Sequence, residues 1–173
     1  YNLNLDEMNM GGGLGVKYID TDQPPSISSL AEAVTSAMNK YSVNIPTIYI
    51  EPGRSIISTA GVTLYRVGSS KEVPNGRKYV AVDGGMADNP RPSMYQAEYT
   101  AQKANNLAEK EMETVTIAGR YCESGDILIN EISLPKLTAG DLICVFNTGA
   151  YNYSMASNYN RVEKPAMVLV NNS

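Results

Sequence analysis

The sequence predicts a mostly β, α+β chain: one β-α-β segment with ligand-type loops, then a β-sandwich or barrel-like region. Two observations carry this. Residues 1–54 hold one helical periodicity between two short apolar runs, and each run ends in a glycine-bearing loop. Residues 55–173 are nearly all short β-type runs punctuated by Gly and Pro. The change falls at Glu51-Pro52-Gly53-Arg54-Ser55.

Composition narrows the function. The 173 residues are 43% hydrophobic, enough for a sizeable core, and suit one domain or a domain plus part of another. A net charge of −4 and a pI near 4.9 leave no basic footprint for nucleic acid. No apolar run approaches a membrane span, and no signal peptide is visible. Cys122 and Cys144 are too few for a disulfide framework and lack metal-ligand spacing. The chain has no His, which removes His-based triads and most zinc sites. It starts at Tyr1 and opens as if inside a structural element, so a piece of a longer protein is expected.

The elements follow in order. Residues 1–10 read as a helix end and a short buried strand, leading into Gly11-Gly12-Gly13-Leu14-Gly15. Residues 20–25 form a proline-bearing loop. Ser26 or Ser28 caps a helix to about Tyr41, with Ile27, Leu30, Ala31, Val34, Ala37, Met38 and Tyr41 at helical spacing. A buried strand at 47–50 enters the Glu51 turn. A helical turn covers 55–60 and a strand 62–67, and 68–76 is a hairpin-like loop. Further strands are expected at 78–83, 94–100, 113–118, 127–134, 141–146 and 166–170, with a loop or helical turn over 102–111.

Several loops carry chemistry. Three consecutive glycines are costly in backbone entropy; their amides would cradle a phosphate at a strand end, or the stretch is a linker. In Glu51-Pro52-Gly53-Arg54, exposed amides and a guanidinium suit an anion, and the carboxylate suits a protonated ring nitrogen; the alternative is a surface turn with a salt bridge. Arg91, between Pro90 and Pro92, suits bidentate carboxylate binding or is a surface arginine. In Cys122-Glu123-Ser124-Gly125-Asp126 a thiol beside two acids could deliver a proton, or is a small buried hydrophobe; Cys144 fits the latter. Tyr151 and Tyr153 offer phenols at a bend, for a ring or for packing.

Taken together, Gly-Gly-Gly-Leu-Gly (11–15), Glu-Pro-Gly-Arg (51–54), Asp-Gly-Gly-Met (83–86), Asn-Pro-Arg-Pro (89–92), Cys-Glu-Ser-Gly-Asp (122–126) and Gly-Ala-Tyr (149–151) resemble the diaminopimelate decarboxylase family. These are pyridoxal-phosphate enzymes of the alanine-racemase-like barrel class (fold type III). Six motifs in the family's order span essentially the whole chain. The resemblance implies the last segment of a (β/α)8 barrel at 1–58 and a C-terminal β domain at 59–173, with some terminal residues packing back on the barrel.

It also implies roles. Gly11, Gly12, Gly13, Gly53 and Arg54 would hold the pyridoxal 5'-phosphate phosphate region, and Glu51 the pyridinium nitrogen. Tyr151 would contact cofactor and substrate. Arg54, Arg91 and Tyr95 would bind the distal carboxylate of meso-2,6-diaminopimelate, and Glu123 its distal ammonium. Cys122 would protonate the carbon that lost carbon dioxide, giving L-lysine. A cytoplasmic homodimer with shared active sites is implied, because in this family the Cys-Glu loop reaches a partner subunit's site. The family's cofactor-anchoring lysine and a ring-stacking His have no matching position here, so the chain alone is expected to be inactive. Asn152 stands where Gly is common, and Lys164-Pro165-Ala166 replaces a common Arg-Pro-Ala. Rival readings are a related decarboxylase acting on ornithine, arginine or carboxynorspermidine, and a non-catalytic β-domain assembly module.

Overall fold

The computed structural model describes residues 5–74 and 76–171; the start of the first expected element, at residues 1–4, lies outside them. Two sheets are present. The smaller is a parallel pair, β1 (Glu7–Asn9) and β2 (Thr47–Tyr49), joined through α1 (Ile27–Lys40). Ser26 starts α1 as expected: its Oγ accepts from the Ser29 N–H at 3.0 Å. None of the α1 residues is buried; Ile27 is 60% exposed. The Glu51 turn leads into α2 (Gly53–Ile57) and a 3-10 turn, Ser58–Ala60.

The larger sheet holds β3 (Thr63–Glu72), β4 (Lys78–Val82), β5 (Ala101–Lys103), β6 (Met112–Ala118), β7 (Ile127–Pro135) and β8 (Leu142–Val145) in the order β5-β8-β3-β4-β6-β7. All pairs are antiparallel except β4–β6. The end strands β5 and β7 approach each other, so the sheet is a nearly closed barrel. Alternate residues point inward: Tyr65 and Val67, Val80 and Val82, Ile143 and Val145 are all buried. Burying each such side chain is worth roughly 1.5–3 kcal/mol.

Among the described residues one ion pair has both side chains buried. Lys103 Nζ is 2.9 Å from Asp141 Oδ2, with side chains 2% and 7% exposed. Lys103 Nζ also donates to the Lys136 carbonyl at 2.7 Å, and Asp141 Oδ2 accepts from Thr138 N at 2.8 Å and Thr138 Oγ1 at 2.9 Å. Burial pushes the Asp141 carboxyl up, but these hydrogen bonds and the Lys103 charge outweigh it and hold it below the usual carboxylate value.

Three elements differ from expectation. The strand expected at 94–100 does not form: α3 (Arg91–Tyr95) ends inside it, residues 96–100 are irregular, and β5 begins only at Ala101. Pro90 and Pro92 preset helical φ, and Gln96 ends the turn in a left-handed conformation at φ 53°. The loop expected at 68–76 is largely strand: β3 runs on to Glu72, and the register slips between Val67 and Ser70, so Gly68 marks a bulge. The strand expected at 166–170 is absent. Met167, Val168, Leu169 and Val170 are 63% to 93% exposed, and an apolar run becomes a strand only where another edge takes its backbone groups.

Candidate functional site

The parallel register of β1 and β2 brings two of the predicted loops together at the carboxyl ends of both strands. Met10 N–H donates to Tyr49 O at 2.9 Å and Glu51 N–H to Gly11 O at 2.8 Å. A Cβ on Gly12 would lie 2.3 Å from the Glu51 carbonyl oxygen, so glycine is what lets the two backbones pass. Gly11 and Gly13 adopt φ of 73° and 94°. The Glu51 carboxylate is aimed by a residue the sequence did not flag: Asn9 Nδ2 donates to Glu51 Oε1 at 2.6 Å, while Asn9 Oδ1 accepts from Gly11 N at 2.8 Å.

The Glu51 turn is clamped onto the β8 end of the larger sheet. Buried Ser58 Oγ donates to Asn147 O at 3.0 Å, Gly149 N–H to Ser58 O at 3.0 Å, and Thr148 N–H to Gly61 O at 2.9 Å. A Cβ on Gly149 would lie 2.0 Å from Ile57 O. This docking carries Tyr151 over Gly53, whose added Cβ would meet the Tyr151 hydroxyl at 2.4 Å. Arg54 Cζ lies 5.9 Å from the Tyr151 ring centre. Tyr151 itself has φ 52°, while Asn152 has φ −83°. The left-handed residue of this bend is therefore the tyrosine, not the Asn152 that the sequence singled out, and such strain in a bulky residue is confined to over-determined sites.

Arg54, Arg91, Tyr95 and Tyr151 line one cavity of about 610 Å³, together with Tyr18, Asp22 and Glu98. That volume suits a small molecule. Arg91 is buried, its Cζ 5.7 Å from the ring centres of both Tyr18 and Tyr95. Tyr18 reaches the cavity because Asn147 Nδ2 donates to Lys17 O at 2.8 Å and Thr100 Oγ1 to Tyr18 O at 3.2 Å. Asp22 accepts from the N–H groups of Ile19 and Tyr18, and these donors hold its carboxylate below the ordinary value.

Cys122 and Glu123 do not line this cavity; both are exposed. The Glu123 carboxylate accepts from the Tyr159 hydroxyl, which raises the Tyr159 phenol. Their loop is nonetheless tied to the Asp-Gly-Gly-Met loop that precedes Arg91. Asp126 Oδ1 accepts from Met86 N at 2.6 Å and Oδ2 from Tyr121 N at 2.7 Å. Next to it, Tyr65 donates a short hydrogen bond to Asp88, whose carboxyl burial pushes above its usual value. Asn9, Tyr18 and the clasp of Asp126 escaped the sequence reading because each acts on a partner distant in the chain; Asp22 bonds only to neighbours three and four residues away, and it is the fold that sets that turn against the cavity.

The fold and site define a class. The chain matches the family described as pyridoxal-dependent decarboxylase, C-terminal sheet domain, over residues 22–149, and belongs to it. Its relatives make the class specific: it is 54% identical over 169 residues to the diaminopimelate decarboxylase of Bacillus subtilis, covering 95% of this chain and 38% of that protein. A crystal structure of diaminopimelate decarboxylase from M. jannaschii with L-lysine superposes with a TM-score of 0.85 at 39% identity, over 94% of this chain and 37% of that one. A lysine/ornithine decarboxylase from Vibrio vulnificus with putrescine gives 0.75 at 26% identity, over 92% of this chain and 42% of that one. The chain thus spans well under half the length of these proteins.

The residues present fit pyridoxal phosphate. Gly11 and Gly13 have open space around them, the Glu51 carboxylate lies beside this bend, and a phenol is held over Gly53, whose side-chain-free position lets it approach.

Proposed function

We propose that this chain is part of a cytoplasmic, homodimeric diaminopimelate decarboxylase that converts meso-2,6-diaminopimelate to L-lysine. The observation that carries the reading is the convergence of Arg54, Arg91, Tyr95 and Tyr151 on one cavity, with Arg54 three residues past Glu51, whose N–H is hydrogen-bonded to Gly11 O in the glycine bend. Residues 1–58 would complete the cofactor-binding barrel and 59–173 form the β domain. The boundary agrees with the parallel pair ending at Tyr49 and the larger sheet starting at Thr63.

Bound pyridoxal phosphate would supply an electron sink for the carbanion left by decarboxylation. Gly11, Gly12, Gly13, Gly53 and Arg54 would hold its phosphate side, and Glu51 would face its ring nitrogen. Arg54, Arg91 and Tyr95 would orient the distal carboxylate, and Glu123 the distal ammonium. A substrate with a second amino-acid head needs both an anion site and a cation site, and this set supplies them. Cys122 Sγ would deliver the proton to the carbon that lost carbon dioxide. Its separation from the cavity supports a shared site, in which the Cys122 loop serves a partner subunit. Two free thiols agree with a reducing compartment, and among the described residues no helix is long and apolar enough to cross a membrane.

The test is carbon dioxide release by the full-length enzyme from meso-2,6-diaminopimelate, ornithine, arginine and carboxynorspermidine. Preference for diaminopimelate is expected; preference for ornithine would move the protein to the lysine/ornithine type. Cys122→Ala should reduce turnover by roughly 10²–10⁴-fold, and unchanged turnover would favour a non-catalytic role for the β domain.

A further inference from the structure

One residue outside all the motifs, Tyr99, is hydrogen-bonded to Arg91; the inference drawn from it rests on reading the cavity as a carboxylate site. Arg91 Nε donates to Tyr99 Oη at 2.9 Å. Among the described residues no hydrogen bond or ion pair engages the two Nη groups of Arg91. A guanidinium is planar, so fixing Nε leaves the Nη fork as a paired donor edge for an end-on carboxylate. The rings of Tyr18 and Tyr95, both 5.7 Å from Cζ, limit rotation out of that plane.

Tyr99 is itself fixed. It is 3% exposed, its ring meets Tyr18 edge-on at 5.2 Å, and its hydroxyl donates to Asn152 Oδ1 at 3.4 Å. Burial raises the phenol above its usual value, so it stays protonated, and its one oxygen accepts from Arg91 and donates to Asn152. Asn152 is 4% exposed and directly follows Tyr151, which lines the cavity with Arg91. The relay therefore links Arg91 to the residue that follows Tyr151.

We propose that Tyr99 is a positioning residue for substrate recognition: it holds the Arg91 fork toward the distal carboxylate, with Asn152 as its far anchor. A tyrosine that only filled the core would be replaced by phenylalanine without consequence for ligand choice.

The experiment is calorimetric titration of the full-length holoenzyme with L-lysine and with 1,5-diaminopentane, which lacks the carboxylate. Tyr99→Phe should weaken L-lysine about tenfold, as expected for a lost charge-assisted hydrogen bond, and leave the diamine within about twofold. Equal weakening of both ligands, or of neither, overturns the proposal. Arg91→Gln separates it from its parent reading. Unchanged L-lysine affinity in Arg91→Gln would remove the carboxylate site itself. Weakened affinity there, with Tyr99→Phe like wild type, would remove only the positioning role. Should Tyr99→Phe fail to fold, Asn152→Ala is the second probe, with L-lysine weakened about threefold and the diamine unmoved; no change refutes the relay.

Discussion

Lys103→Met tests what holds the barrel shut. The substitution keeps most of the side chain's length and removes its charge, leaving Asp141 buried without its cation. Breaking one partner of a buried pair costs about 3–5 kcal/mol. Asp141 would keep two donors from Thr138, at 2.8 and 2.9 Å, while the Lys136 carbonyl would lose its donor. The lower end, about 3 kcal/mol, is therefore expected. For a chain of this size each kcal/mol is worth roughly 2–4 °C, so thermal unfolding followed by circular dichroism should fall by about 6–12 °C. The pH dependence adds a second check. In the wild type the Asp141 carboxyl lies below its usual value, so its contribution is present above about pH 4 and fades as acid passes the lower folded value. In Lys103→Met burial acts without a counter-charge, so the deficit should shrink as acid neutralises Asp141. Asp141→Asn added to Lys103→Met should recover most of the loss. A deficit under about 1 kcal/mol at neutral pH, or one that is flat across the acid range, would refute the reasoning.

Other expectations follow from close approaches and buried groups. Gly149→Ala, with its Cβ 2.0 Å from Ile57 O, should displace the 53–61 turn from the 147–151 loop; increased hydrogen exchange at both segments is the readout. Gly12→Ala places a Cβ 2.3 Å from Glu51 O and should weaken pyridoxal-phosphate binding to the full-length enzyme, measured by cofactor absorbance, more than it lowers the melting temperature. Tyr65→Phe takes the donor from Asp88 and should cost about 1–3 kcal/mol. Burial already raises the Asp88 carboxyl, so its stabilising contribution is full below the usual carboxylate value and is lost as pH rises through the folded one. The Tyr65→Phe deficit, read by urea denaturation, should therefore grow from mildly acidic to neutral pH.

Much of the fold could be read locally. The Ser26 cap, the helix to Lys40 and the strands near 47, 78, 113, 127 and 142 all follow from periodicity and punctuation, which depend on neighbours in sequence. The failures were of two physical kinds. At 91–95 two prolines outvoted an alternating pattern. At 166–170 strand propensity was real, but no edge among the described residues met it. The site divides in the same way. Glycine loops and arginines between prolines announce themselves through backbone demands, and Arg54, Arg91, Tyr95 and Tyr151 do line one cavity. The residues that aim them do not: Asn9 lies 42 positions from Glu51 and Tyr99 53 from Asn152, and only the sheet brings each pair together.

Asp126 has a wider consequence. Its two oxygens are spoken for by amides from different loops, one leading to Arg91 and the other to Cys122. Gly85 and Gly119 leave no slack, since a Cβ on either would press into that carboxylate. Lengthening or reshaping one loop therefore unfastens the other. Retuning this scaffold for a shorter or longer substrate would require coordinated change in both segments, and single-loop grafts from relatives should fail more often than paired ones.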